Sequence, residues 1–363
     1  MSVDIGIIGL AKSGKTTIFN GLTKGKADIA SATPHIGATK VPEPRLKTLT
    51  DMLHPKKVVP AEVRYTDIGA SVKGLVKDKP IGGEFLNQIS NADALINVVR
   101  AFADDSIPHI EGSLDVERDI ASINLELTFS DLAILEKRLE RIEASLRGAK
   151  QLERQGLLRE QERLQGIKAD LEKDIPIREL ELTADESRTI ASYQFLTAKP
   201  LLIVVNIGEE QFPQATSLEA DLNSHYSRPK CRIITLCGKL EMELAQLDNS
   251  AAEEFRAEFD MPEPGLDRTV KLSYELLGLI SFFTTASDEL KAWSIPKGTT
   301  ALKAAGKIHS DMERGFIRAE VISHDDLVKC GNLSEARHKG LLRLEGKSYI
   351  IQDGDVITFL FNV

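Results

Sequence analysis

Apolar residues in this chain are spaced in two ways. The first is the unbroken run. Val3-Asp4-Ile5-Gly6-Ile7-Ile8, Ala94-Leu95-Ile96-Asn97-Val98-Val99, Leu201-Leu202-Ile203-Val204-Val205-Asn206 and Arg232-Ile233-Ile234-Thr235-Leu236 are short and rich in β-branched residues. Runs of this kind predict strands buried on both faces of a parallel sheet. Glu62-Val63-Arg64-Tyr65-Thr66-Asp67 reads as a further strand. Helical stretches, beginning with Thr17-Ile18-Phe19-Asn20-Gly21-Leu22, separate most of them. Strands and helices in alternation make βαβ units, so the expected class is α/β with a mostly parallel sheet. In such sheets a ligand sits beyond the carboxyl ends of the strands, where Asp67 and Asn206 both fall.

The second spacing is three and four. Leu132, Leu135, Leu139, Ile142 and Leu146 follow it, as do Leu157, Leu164, Ile167 and Leu171, with charged residues between. Two amphipathic helices joined near Gly148 to Gly156 would make an antiparallel coiled-coil hairpin, inserted over residues 124–197. Charge is too dense for a fully buried pair, so the hairpin is expected to project. Pro176 is expected to end the second arm. Thr183-Ala184-Asp185-Glu186 reads as a capping box for another helix, carrying Ile190 and Tyr193 inward. From about Ser281 the pattern changes to short alternating runs. Phe316-Ile317-Arg318-Ala319-Glu320-Val321, Ser348-Tyr349-Ile350-Ile351 and Val356-Ile357-Thr358-Phe359-Leu360-Phe361 read as strands, with Asp353-Gly354-Asp355 as a turn. A compact α+β module is expected over 281–363, which leaves 1–123 and 198–280 to the parallel-sheet domain.

Composition narrows the partners. The 363 residues suffice for about two or three domains. A net charge of −9 excludes a nucleic-acid footprint over the whole surface, and no DNA partner is expected. RNA contact needs a local basic patch. Arg337-His338-Lys339, Arg343 and Lys347 form one, diluted by Glu335 and Glu345. Cys231, Cys237 and Cys330 have no zinc spacing and read as reduced thiols of a cytoplasmic protein. No apolar run approaches the ~20 residues a bilayer requires, so no membrane partner is expected.

Between the first strand and the first helix stands Gly9-Leu10-Ala11-Lys12-Ser13-Gly14-Lys15-Thr16, a G-x-x-x-x-G-K-T phosphate loop in its confirming context. Backbone N–H groups of Ser13, Gly14, Lys15 and Thr16, with Thr17 next in line, can converge on phosphate at the helix start. Glycine at 9 and 14 permits turns that a Cβ would block. Lys15 should reach the β- and γ-phosphates, and Thr16 should hold Mg²⁺ with Asp67 orienting its water. Asn206-Ile207-Gly208-Glu209 stands where a base-reading N-K-x-D motif is expected. Ile207 and Glu209 weaken a guanine reading, while the Asn206 amide can serve adenine N6 and N7. After the next strand, Cys237 and Gly238 either offer backbone N–H groups to the base or, for Cys237, join the core. His109, in a loop after the Ala94–Val99 strand, can orient water, although a lone loop histidine is usually a surface residue.

Together these residues resemble the Obg-like ATPase family, the YchF-type branch of the translation-factor-like P-loop proteins. The resemblance rests on the phosphate loop, on Asp67, on Asp93-Ala94-Leu95-Ile96-Asn97-Val98-Val99-Arg100-Ala101-Phe102 and on the N-x-x-E variant at Asn206. It rests also on Gly306-Lys307-Ile308-His309-Ser310-Asp311, on Gly315 to Val321, and on Gln352-Asp353-Gly354-Asp355 with Phe361-Asn362-Val363. It implies a P-loop G domain, an inserted helical coiled coil and a C-terminal TGS domain of β-grasp type. It implies hydrolysis of ATP, with GTP as an alternative substrate, with Mg²⁺ as cofactor and the ribosome or ribosomal RNA as partner. It makes His109 the loop histidine that takes part in hydrolysis.

Three departures matter. Where the family reads N-V-G-K-S, this chain has Lys12-Ser13-Gly14-Lys15-Thr16. In potassium-activated relatives that asparagine helps hold K⁺, so the Lys12 ammonium is expected to take the cation's place and free hydrolysis from potassium. The D-I-A-G switch is here Asp67-Ile68-Gly69-Ala70, which keeps an N–H but loses the hinge freedom of glycine. The first switch is short, with Ser31, Thr33 and Thr39 all open as contacts to Mg²⁺ or the γ-phosphate. The sequence therefore reads as a slow nucleoside triphosphatase that switches a translation-related partner. The alternative is a non-catalytic, nucleotide-gated module that binds RNA or the ribosome, a reading favoured by Lys12 and Ala70.

Overall fold

Strand β1 (Val3–Ile8) stands inside the first of two six-stranded sheets in a computed structural model, which describes residues 3–25, 27, 34–68, 88–226, 228–258, 263–286 and 288–362. Ser31, Thr33, Gly69 and Ala70 lie outside the described residues. The chain forms two compact units. The larger comprises residues 4–37 and 64–266, the smaller 1–3, 38–63 and 267–363.

The first sheet also contains β2 (His35–Lys40), β4 (Glu62–Asp67), β5 (Ala94–Arg100), β6 (Leu201–Asn206) and β7 (Cys231–Leu236). The short strand β3 (Lys57–Val59) belongs to the other sheet. The order is β2-β4-β1-β5-β6-β7, and β1/β5, β5/β6 and β6/β7 are parallel. Every residue of β5 and β6 is buried, as an unbroken apolar run demands of a central strand. In β4 the burial alternates instead, so Val63, Tyr65 and Asp67 share the inner face. The strand order reverses at β1, which makes its carboxyl end the topological switch point. Helix α1 (Lys15–Thr23) starts there; α2 (Pro44–Leu53) belongs to the smaller unit.

The two long helices are α3 (Val116–Leu146) and α4 (Gln151–Leu171). Leu135, Ile142, Leu164, Ile167 and Leu171 are buried between them, together with Ile177, Ile190 and Phe195. Towards the turn the leucines emerge, and Leu152 is 85% exposed. Two boundaries differ from expectation. Gly156 lies inside α4 rather than in the connection, because Leu146 to Gln151 already reverses the chain. The second arm ends at Leu171, before Pro176, where Asp174 turns left-handed at φ 59°. Helix α5 (Ala184–Ala191) carries the expected capping box, with Thr183 and Glu186 bonded reciprocally. The base of the hairpin is pinned by buried Asp131, which accepts hydrogen bonds from Leu196 N, Thr197 N and Thr197 Oγ1 at 2.7–2.8 Å. Asp131→Ala strands these donors and is expected to lower unfolding free energy by about 3 kcal/mol in urea titration, at roughly 1 kcal/mol per orphaned group.

Helices α6 (Ala215–Tyr226), α7 (Gly238–Leu244), α8 (Asn249–Glu258) and α9 (Gly265–Leu276) follow. The second sheet has the order β11-β10-β12-β8-β9-β3. Its strands are β8 (Leu279–Ala286), β9 (Glu289–Pro296), β10 (Phe316–Ser323), β11 (Arg343–Glu345) and β12 (Asp355–Phe361), with β3 at one edge. Helix α10 (Ala301–Ile308) buries Ala301, Ala304 and Ala305 among Phe282, Ile295, Val321, Ile357 and other residues of these strands. Short helices α11 (Ser310–Arg314), α12 (His324–Cys330) and α13 (Leu333–His338) complete the unit. The Ser348–Ile351 run does not form a strand. It makes one isolated bridge, Thr300 to Ile350, because its N–H groups go to a turn and to Thr299 O. The Asp353-Gly354-Asp355 turn is a junction: Asp353 binds the Arg45 guanidinium of α2 at 2.9 and 3.1 Å and accepts Ser281 N at 2.9 Å.

Candidate nucleotide-binding site

The loop between β1 and α1 is held open by backbone conformations that its sequence selects. Gly9 (φ 150°) has no room for a side chain, since a Cβ would lie 2.4 Å from Val98 O. Gly14 (φ 94°) caps α1 in the left-handed region. Lys12 also adopts a left-handed φ of 63°, with its side chain exposed. Ser13 is buried, and its hydroxyl has no partner among the described residues. The loop therefore presents a concave set of amides at a helix start, which suits an anion.

Lys15 is buried in this loop, and its ammonium donates to Gly9 O at 3.2 Å and Leu10 O at 2.8 Å. Burial pulls its pKa down to about 8, partly opposed by the charge of Asp67. A bound polyphosphate would restore the ammonium. Below pH 8 the lysine is already charged, so nucleotide affinity should be flat. Above pH 8 binding must take up a proton, so affinity should fall about tenfold per pH unit until the ordinary lysine value is approached. Calorimetric titration from pH 6.5 to 9.5 checks this.

Thr16, at the second position of α1, donates its hydroxyl to Asp67 Oδ2 at 2.6 Å. Asp67 ends β4 and is fully buried, and its other oxygen, Oδ1, has no hydrogen-bond partner among the described residues. A hydroxyl and an unsatisfied carboxylate oxygen beside a phosphate cradle are hard oxygen donors. They fit a divalent cation such as Mg²⁺, which takes few protein ligands and keeps water and phosphate for the rest. Thr17 is half-buried at the next helical position. Thr39 lies in β2.

The base side differs from expectation. The Asn206 amide is a clasp: Nδ2 donates to Ser13 O at 3.0 Å and Oδ1 accepts Gly238 N at 2.9 Å. Each end of the amide is engaged within the protein, so a two-point reading of adenine would require both bonds to open. Ile207 is 1% exposed and packs in the core, so its side chain is not a base contact. Cys237 is core as well; burial pushes its thiol pKa up. The Gly238 N–H is taken by Asn206 and is not free for a base. Glu209 remains exposed, paired with Lys239 in the first turn of α7 at 3.0 Å. The His109 side chain is buried, Nδ1 accepts Glu111 N at 3.1 Å, and Nε2 lies 2.9 Å from Asp119 Oδ2 at the start of α3, so both ring nitrogens face partners within the protein.

Sequence reasoning missed Arg100. Its buried guanidinium stacks 4.4 Å over the Phe102 ring and donates to Phe102 O, while Ala101 N and Phe102 N donate to Asn206 O. The Phe102 ring lies 3.9 Å from where a Cβ on Gly14 would stand. The β5 end thus braces both the phosphate loop and the clasp. Nothing local in the sequence marks this arrangement except an arginine closing an apolar strand.

Comparison with known proteins settles the family. Residues 4–135 match a family model described as a 50S ribosome-binding GTPase, and residues 279–362 match the YchF-GTPase C-terminal model, described as a protein of unknown function. The chain is 40% identical to the ribosome-binding ATPase YchF of Bacillus subtilis, over all of both chains. The chain belongs to the YchF family. It is 36% identical to the ribosome-binding ATPase YchF of Escherichia coli O157:H7, again over all of both chains. The structure of the Schizosaccharomyces pombe YchF GTPase superposes with a TM-score of 0.85 at 30% identity, covering 99% of this chain and 98% of that one. As a YchF-family member the chain has the P-loop α/β fold expected of it, with a separate C-terminal module. Among the described residues, no helix is long and apolar enough to cross a membrane.

Proposed function

We propose that this YchF-family chain hydrolyses ATP in preference to GTP, with Mg²⁺, and uses the cycle to associate with the ribosome. One observation supports it most directly: the phosphate loop brings a buried ammonium, the Thr16 hydroxyl and an unsatisfied Asp67 oxygen to the end of β1 and β4. Relatives named as ribosome-binding ATPases support the substrate and the partner.

Lys15 would move from the Gly9 and Leu10 carbonyls to the β- and γ-phosphates, and the loop amides would fix the phosphate chain. Thr16 and Asp67 would hold Mg²⁺, which when bound neutralises charge on the terminal phosphates. Hydrolysis of this kind relies on positioning and charge stabilisation, with little covalent chemistry for side chains. A slow intrinsic rate follows, and the partner is expected to raise it. Preference for ATP is supported by the N-x-x-E variant, in which the longer Glu209 stands where a guanine reader has Asp, and by relatives named as ATPases. The hairpin 124–197 and the module 281–363 are proposed as the parts that meet the ribosome. In the module, Arg337, Lys339 and Arg343 are already paired with Glu320, Glu335 and Glu345, which limits the basic patch.

Phosphate release measured with ATP and with GTP, alone and with 70S ribosomes, tests the proposal. Faster turnover of ATP, raised by ribosomes, is expected. Equal turnover of the two nucleotides, or none of either, would overturn it. Replacing K⁺ by Na⁺ should leave the rate unchanged, because Lys12 carries the charge at the loop; clear potassium stimulation would refute that role.

A further inference from the structure

The larger unit holds a second cavity, remote in topology from the phosphate loop. The loop follows the carboxyl end of β1, whereas this cavity borders Cys231 at the amino end of β7. Its volume is about 560 Å³, the size of a small-molecule site. Leu125, Pro176 and Ile203 give it apolar wall, Asn124 and Thr128 give it neutral polar groups, and Arg178, Arg228, Asp174 and Glu179 give it charges of both signs.

Arg178 is the informative residue. It is 5% exposed, yet among the described residues it forms no ion pair. Nη1 donates to Thr197 O at 3.3 Å and Nη2 to Asn124 Oδ1 at 3.4 Å, both long bonds to neutral oxygens. Its Nε is buried with no partner. Of the two carboxylates whose charge reaches it, Asp131 is occupied by Leu196 and Thr197, and Glu179 lines the cavity without an ion-pair contact to it. Burial depresses the guanidinium pKa below its ordinary value, partly opposed by the charges of Cys231, Glu179 and Asp131. A buried cation left in this state is costly unless an anion completes it. A guanidinium offers a planar fork that matches a carboxylate.

We propose that this cavity binds a small organic carboxylate, with the Arg178 guanidinium as counter-charge and the apolar wall around the carboxylate's short hydrocarbon body.

Cys231 lines the same cavity and allows a test in the intact chain. Iodoacetate and iodoacetamide differ in charge but alkylate thiols alike: the S–C bond forms, the C–I bond breaks, iodide leaves and the thiol proton goes to solvent. Cys330, half-buried in the other unit, serves as reference. The ratio of iodoacetate to iodoacetamide rates at Cys231 is expected to exceed that at Cys330 by at least about tenfold, the factor one charge-assisted hydrogen bond supplies. Arg178→Gln should remove the difference, and hexanoate should slow iodoacetate at Cys231 but not at Cys330. Hexanoate protection is read on the unaltered chain, so a poorly folding variant does not spoil the test. Equal ratios at the two cysteines, no protection by hexanoate, or no alkylation of Cys231 by either reagent would overturn the proposal.

Discussion

Replacing Gly14 by alanine is expected to weaken Mg·ATP binding by at least about a hundredfold, a loss of roughly 3 kcal/mol. Two costs combine. At φ 94° an alanine sits in the left-handed region, which costs about 1–2 kcal/mol. The added Cβ would also stand 2.2 Å from Asn206 Nδ2, so the amide must move. That amide holds Ser13 O and Gly238 N, and each lost bond costs about 1 kcal/mol more. The damage falls on the curvature of the loop that receives the phosphates. Titration calorimetry measures the affinity, and circular dichroism verifies that the sheet persists. Unaltered affinity would mean that the loop binds phosphate in some other shape.

Lys15→Ala should cut the rate of phosphate release by about 10²–10³, the usual loss when one charged group aimed at the reacting phosphate is removed. Stability should not fall with it. In the free chain the Lys15 ammonium is desolvated and bonded only to carbonyls, so at neutral pH its charge opposes folding. Its folded pKa of about 8 lies below the ordinary 10.5, and that penalty is lifted only as pH rises through this window. An alanine there removes the buried charge. A variant that melts no lower than the parent yet releases almost no phosphate separates the chemistry from the fold. A variant that melts lower and keeps its rate contradicts this assignment.

What was legible in the sequence follows from range. The parallel strands could be read because β5 and β6 are buried on both faces, and a two-faced environment leaves an unbroken apolar run. The phosphate loop could be read because its chemistry is contiguous. The Leu279–Ala286 and Glu289–Pro296 pair was not read as strands, because each has one half-buried face that mixes Thr, Lys and Ser with its apolar residues. The Ser348–Ile351 run misled in the opposite sense: Tyr349 and Ile351 pack inward, but its backbone makes only one isolated bridge. At the site, the Asn206 clasp could not be read because its partners lie 193 and 32 residues away. The same holds for His109, whose partner Asp119 sits on the next helix. The contiguous residues of the loop were legible; the distant side chains that hold the loop in shape were not.

The most direct test is calorimetric titration of the purified chain with ATP in the presence of Mg²⁺, beside Lys15→Ala. Saturable binding by the parent, lost in the variant, is the result expected. If neither ATP nor GTP binds the parent, or if the variant binds as tightly, the loop between β1 and α1 does not grip a polyphosphate as described.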